Sequence, residues 1–295
     1  MSEFKTYHPI VNFIYFIFVI GFSCVFMHPA SLCISLFGGF TCFAHLKGRR
    51  GVRGSLSYML PMMLAMALIN PLVNHNGATI LGYLPSGNPL TMESLIYGIA
   101  GAMMIICVIC WFSCCSEIMT SDKTLWLFGR AIPSLSIVVS MTLRFVPQFS
   151  AQLKEVTNAQ RGIGRGVSTG NIIQRAKGGL SILSIMITRA LENSIETADS
   201  MKSRGYGQPG RTAFSLFVFD KRDARALVCI VILGLYTLVG GLMSGMYFSY
   251  FPFVTASEPS FFTISVFTAY FVLCIIPIII EKREARRWKS LKSKI

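Results

Sequence analysis

Residues Ser94 to Cys115 read SLIYGIAGAMMIICVICWFSCC, with no Asp, Glu, Lys or Arg among them. A helix crosses the hydrocarbon of a bilayer with about 20 apolar residues, so this run predicts a membrane span. The whole chain agrees with it. Of its 295 residues 53% are hydrophobic and 14% charged, and the mean hydropathy is +0.59. Soluble domains carry about 25% charged residues, so the composition describes an integral membrane protein. Outward from Ser94, five further stretches approach spanning length: Ile10 to Met27, Ser31 to Leu46, Leu56 to Val73, Ala226 to Met246 and Phe261 to Ile280. The first two share a turn at Pro29. The segment Asn74 to Glu93, rich in Gly, Pro and Asn, reads as turns and irregular chain. The first run ends at His28-Pro29-Ala30 without an Ala-x-Ala pattern, so no cleaved secretory signal is expected.

A net charge of +14 would suggest nucleic acid in a soluble protein, but here its distribution matters more. All 27 Lys and Arg lie in four places: Lys5, the run Lys47 to Arg53, the segment Lys123 to Arg225, and the tail Lys282 to Lys294. The intervening loops on the other side have none. Positive charge collects on the cytoplasmic side, so the chain reads as a multi-pass protein with six spans and both termini cytoplasmic. The bilayer, not nucleic acid, is the implied partner of this charge. The nine cysteines avoid the external loops, and no disulfide is expected.

The spans are chemically quiet. A proton- or ion-coupled pump needs a group that changes charge along its pathway, and these spans contain no Asp, Glu, Lys or Arg. There is no G-x-x-x-x-G-K-[ST] phosphate loop, so the chain is not its own ATPase, and no cofactor is implied. An alternative is an integral membrane enzyme acting on lipid-linked substrates at the cytoplasmic interface, with its basic segment on anionic head groups. That chemistry needs convergent acids, histidines or a metal. His8, His28, His45 and His75 are instead scattered over both sides. A channel is disfavoured because no span shows a polar stripe. Cys107, Cys110 and Cys114 share a helix face, which reads as small buried hydrophobes more readily than as a soft-metal site. Gly241 and Gly245 form a small-xxx-small pair suited to close packing within the chain.

Between the fourth and fifth spans lies the segment Thr142 to Arg225. From Arg144 onward Phe145, Phe149, Leu153, Val156 and Ile163 recur at helical spacing, with Gln148, Gln152 and Glu155 on another face. Pro147 sits within a turn of the expected start, where a missing amide is tolerated. Gly162, Gly164, Gly166 and Gly170 then break the helix. A second helix begins at the N-cap Asn171. Its apolar stripe includes Leu180, Leu183, Ile187, Leu191 and Ile195, flanked by the charged stripe Arg189, Glu192, Glu196 and Asp199. Gly205 can close this helix in the left-handed conformation, with Lys202 and Arg204 in the last turn. Arg204 is then either an ordinary basic residue at a helix end or an arginine held rigidly for a partner's carboxylate. The chain divides into 1–141 with four spans, 142–225 with the two amphipathic helices, 226–280 with two spans, and the basic tail 281–295.

Asn70-Pro71, the Leu84 to Gly98 region, Leu143-Arg144-Phe145-Val146-Pro147, Ala159-Gln160, Gly170-Asn171, Arg175-Ala176-Lys177 and Ala198 through Tyr206 follow in an order and spacing that resembles a known family. That family is the transmembrane T component of energy-coupling factor (ECF) transporters, EcfT, which includes CbiQ-like cobalt permease subunits. The resemblance implies an all-α membrane protein of a bacterial or archaeal plasma membrane, with about six transmembrane helices and two long cytoplasmic coupling helices. It implies a non-catalytic subunit that transmits the motion of two ABC-type ATPase subunits to a membrane-embedded S component binding a vitamin or metal ion. Short Ala/Ser-Arg-Gly motifs at the helix ends would dock on the ATPases, here Ser203, Arg204 and Gly205. In the first motif the arginine position falls on Ile163, and Arg161 or Arg165, two residues to either side, could stand in for it. The apolar face Leu180, Leu183, Ile187 and Leu191 would carry the S component.

Overall fold

The computed structural model describes residues 3–83, 88–131, 133–164, 171–206, 217–246, 248–256 and 260–292. The chain forms two compact units, one of residues Met1–Thr124 with Phe217–Ile295 and the other Leu125–Leu216. It is an all-α integral membrane protein with two small hairpins.

The first unit opens with a short 3-10 helix, Glu3–Thr6, and continues through α1 (Pro9–Val25), α2 (Pro29–Val73), β1 (Ile80–Tyr83), β2 (Pro89–Thr91) and α3 (Met92–Ile118). After the second unit it resumes with α7 (Lys221–Gly240), a π-helical turn (Gly241–Gly245), β3 (Phe248–Ser249), β4 (Thr255–Ala256) and α8 (Phe261–Lys292). The helix α2 is two helices in one: Gly48, at φ +65°, breaks it into Pro29–Gly48 and Gly51–Val73. Among the described residues five helices are long and apolar enough to cross a membrane. The shorter apolar α1 has 17 residues, the lower end of spanning length. The six apolar runs of the sequence thus each become a helix.

Both α1 and α2 begin at a His-Pro pair. The imidazole Nδ1 of His8 accepts from the Ile10 amide, and that of His28 from Ala30, while proline fills the first helical position, where its missing amide is no loss. Thr91 caps α3 from its side chain. The segment 74–93 is more regular than turns alone: β1 and β2 pair antiparallel, and Thr79 donates its amide to the Glu93 carboxylate at 3.2 Å. Composition does not reveal this hairpin, which pairs β1 with β2 and is flanked by a contact between residues 14 apart in the chain.

The helices close on aromatic and small side chains. Helix α2 packs on α3 and α8, α1 on α3 and α7, and α7 on α8. At the centre Trp111 is fully buried and donates to Ser35 Oγ at 3.0 Å. Ser35 meets Ser23 at 2.6 Å, and Ser23 meets the Tyr270 hydroxyl at 3.2 Å. Side chains from α1, α2, α3 and α8 therefore satisfy one another where water cannot. Close approach is needed here: a Cβ at Gly38 would stand 2.6 Å from that of Cys274, and one at Gly39 3.2 Å from the Trp111 ring. Cys107, Cys110 and Cys114 are buried, with the Cys107 thiol on the Leu32 carbonyl at 3.5 Å. A Cβ at Gly241 would strike the Phe26 ring, so this glycine serves packing within the chain.

The N-terminal segment is fastened by a buried lysine. Lys123 Nζ donates to the carbonyls of Lys5 at 2.6 Å and Tyr7 at 3.2 Å. With the Asn12 amide nitrogen donating to the Phe4 carbonyl, its oxygen accepts from Lys123 at 2.6 Å. Burial depresses the Lys123 ammonium to about 8, with Lys5 adding to the effect and Asp223 opposing it. A base that holds its proton more weakly when folded is relieved as pH rises from about 8 toward the ordinary lysine value. Thermal midpoints in detergent should therefore rise for the wild type relative to Lys123→Met between pH 8 and 10.

The tail does not separate from the last span. Residues Glu281 to Lys292 prolong α8, with Glu281 paired to His45.

The second unit comprises most of α4 (Ser121–Ala131), α5 (Pro133–Gly162) and α6 (Ile172–Ser203). Helix α5 starts well before Thr142, which places Pro147 in its interior rather than in its first turn. The amide that would bond the Leu143 carbonyl is missing there. Helices α5 and α6 pack on each other.

Candidate functional site

Two faces must be distinguished on each long helix. On α6 the less exposed positions include Ile182, Met186, Ala190, Asn193, Thr197 and Met201, at steps of three and four, with Ile182 buried. They mark the side packed on α5. The stripe Leu180, Leu183, Ile187, Leu191 and Ile195 lies beside that face, displaced from it by roughly 110° on average at about 100° per residue. Each member of that stripe is more than half exposed, Leu180 at 64% and Leu191 at 60%. The charged stripe Arg189, Glu192, Glu196 and Asp199 is exposed as well.

On α5 the less exposed line is Phe145, Phe149, Gln152, Val156 and Gln160, with Val156 buried and Phe145 and Phe149 in ring contact at 5.8 Å. Gln152 belongs to this face and Leu153 does not, being 47% exposed. Hydrophobicity alone sorted these two neighbours the wrong way. The helical step from Phe149 to Gln152 and Val156 was the available signal, masked by the polarity of glutamine.

Helix α6 starts at Asn171, whose amide donates to the Gln174 side chain at 3.3 Å in a capping box. It ends at Ser203-Arg204-Gly205-Tyr206. Gly205 has φ +73°. Its amide bonds the Lys202 carbonyl at 3.1 Å, and the Tyr206 amide reaches back to the Met201 carbonyl at 3.1 Å. These are the two bonds of a Schellman closure. The Ser203 hydroxyl is engaged with the Ser200 carbonyl at 2.8 Å. Arg204 occupies the C-cap and is exposed. Backbone bonds thus fix the base of Arg204 while its guanidinium projects from the tip.

The end of α5 shares the first of these two bonds. Gly164 has φ +75°, and its amide bonds the Arg161 carbonyl at 3.1 Å. Ile163 therefore holds the position before the left-handed glycine that Arg204 holds on α6, and it is 65% exposed. Arg161 is in the last turn and exposed. Arg165, Gly166 and Gly170 lie outside the described residues. A β-branched residue cannot adopt φ +73° without strain of about 1–2 kcal/mol or more. Gly205→Val should therefore fray the α6 terminus, seen as faster amide exchange at residues 201–206 with little change in the first unit.

The histidines stay apart: two cap helices, His45 pairs with Glu281, and His75 faces Asn88 at 3.1 Å. Among the described residues no three of His, Cys, Asp and Glu gather in a metal-binding group.

The CbiQ family profile, described as cobalt transport protein, matches residues 5–216 and so covers both helix tips. The chain belongs to this CbiQ family. Among curated proteins, the energy-coupling factor transporter transmembrane protein EcfT of Lactobacillus helveticus is 34% identical over 112 residues, 38% of this chain and 40% of that protein. EcfT of Streptococcus thermophilus is 31% identical over 114 residues, 38% and 43% of the two chains. EcfT of Acidaminococcus fermentans is 33% identical over 119 residues, 40% and 44%. The chain spans about two fifths of the length of the curated relatives it matches. Membership in the CbiQ family makes this protein a transport-associated membrane protein.

Proposed function

We propose that this protein is the coupling subunit of an ECF-type importer, with two ABC-type ATPase subunits on its helix tips and a substrate-binding S component against its exposed apolar stripe. The observation that carries this reading is the exposed Arg204 on a backbone-locked helix end, in a chain whose spans lack the charged groups a self-powered pump would need. A guanidinium so placed can fork onto a carboxylate or onto backbone oxygens of a docked protein. The stripe Leu180, Leu183, Ile187 and Leu191, exposed beside the face packed on α5, suits a membrane-embedded partner. Vitamin or metal-ion uptake, cobalt included, follows as the substrate class. The cytoplasmic side is assigned to the tips by the Lys and Arg distribution.

Because Ile163 replaces arginine at the first tip, the two ATPase contacts are unequal, and Arg161 or Arg165 supplies what charge the first contact has. Tagged protein co-expressed with the two ATPases and the S component should purify from membranes as one assembly. Purified chain that turned over a lipid-linked substrate unaided would sink the proposal.

A further inference from the structure

At the start of α7 and the end of α8 a cavity of about 310 Å³ opens, near the lower bound for small-molecule sites. Arg222, Arg225, Arg283 and Glu284 form its charged lip, and Val272 and Ile276 its wall. An adjoining groove shares Arg225, Cys229 and Val272 with it and continues over Val228 and Ile232. Apart from Arg225 that groove is apolar. Val228 and Ile232 are 57% and 61% exposed.

The lip carries three guanidinium groups against one carboxylate. Arg222 is held by Thr6 at 3.1 Å and lies over the Tyr7 ring, and Arg225 is steadied by its Nε on the Lys221 carbonyl at 3.3 Å. The groove runs along two helices of membrane-spanning length, so the charged lip meets an apolar trough where α7 and α8 enter the bilayer. A soluble anion would use the lip and leave the trough empty. An apolar protein helix would fill the trough and press the arginines against hydrocarbon, at a desolvation cost. An amphiphile with an anionic head matches both parts. We infer that an anionic phospholipid seats here, its phosphate on Arg225 and Arg283 and one acyl chain along Val228, Ile232 and Val272. Basic pockets between transmembrane helices commonly take such head groups.

The test is lipid binding to the detergent-purified chain, by native mass spectrometry and thermal shift, with dioleoylphosphatidylglycerol against dioleoylphosphatidylcholine. Phosphatidylglycerol should bind preferentially. Arg225→Gln with Arg283→Gln should weaken it by about fivefold per arginine, whereas Arg286→Gln, on α8 outside the groove, should leave it unchanged. Should the double variant fail to fold, Val228→Trp, which fills the trough, should block the lipid by itself. Equal binding of the two lipids, or wild-type binding by either groove variant, would overturn the inference. So would competition by glycerol phosphate as effective as the lipid, which marks a soluble-anion site, or a crosslinker on Cys229 that captures a polypeptide in native membranes.

Discussion

If an ATPase subunit docks on the α6 tip as proposed, Arg204→Glu should abolish its co-purification, while the chain itself remains folded in the membrane. The folded state has little stake in this side chain, which is exposed at the C-cap and whose backbone bonds survive any non-proline substitution there. A docked partner has much more. Truncating one member of a buried, hydrogen-bonded charge pair at an interface costs about 2–5 kcal/mol, which is roughly 30-fold to several thousand-fold in affinity. Glutamate adds like-charge repulsion against the partner's carboxylate. Arg204→Lys separates charge from shape: it keeps the cation and loses the fork, so intermediate retention is expected. A pull-down with each ATPase tagged in turn measures the effect. If the Arg204→Glu assembly formed and transported normally, the docking role of this residue would be wrong. The reciprocal change, Ile163→Arg, should tighten the first contact if both partner grooves are acidic and weaken it if that groove has become apolar.

Trp111→Ala should lower the stability of the membrane unit by about 3–5 kcal/mol. The ring is fully buried and rests edge-on to Tyr15 at 6.2 Å. Its space lies beside Gly39, so the truncation opens a void between α2 and α3 with no large side chain on Gly39 to collapse into it. Its indole N–H is also the donor that ties α3 to the Ser35, Ser23 and Tyr270 hydroxyls. Trp111→Phe keeps most of the volume and loses the donor, so it should cost only about 1 kcal/mol. Thermal unfolding in detergent, followed by the remaining tryptophan fluorescence or by gel filtration, compares the two. Equal losses would assign the effect to the hydrogen bond rather than to packing.

Much of this molecule is legible from local sequence. Uncharged runs mark the spans because a bare charge in hydrocarbon is costly whatever surrounds it. Asn171 and Gly205 mark the ends of α6 because capping depends on backbone geometry within a few residues. Other features escaped. Gln152 packs and its neighbour Leu153 does not, because α6 supplies a surface whose position no local pattern reveals. Pro147 lies deep inside α5 because the helix extends upstream through Pro133–Thr142, where the sequence pattern set no boundary.

The sequence by itself determined a multi-pass all-α chain, the location of its positive charge, and a helix ending with arginine at its tip. These follow from solvation and from bonds between near neighbours, which act the same in any fold. Only the tertiary structure decided that Lys123 ties down the N-terminal segment, that Thr79 bonds Glu93 beside the β1–β2 hairpin, and that Trp111 joins the Ser35, Ser23 and Tyr270 hydroxyls. Those depend on groups far apart in the chain, whose contact is set by how the helices pack.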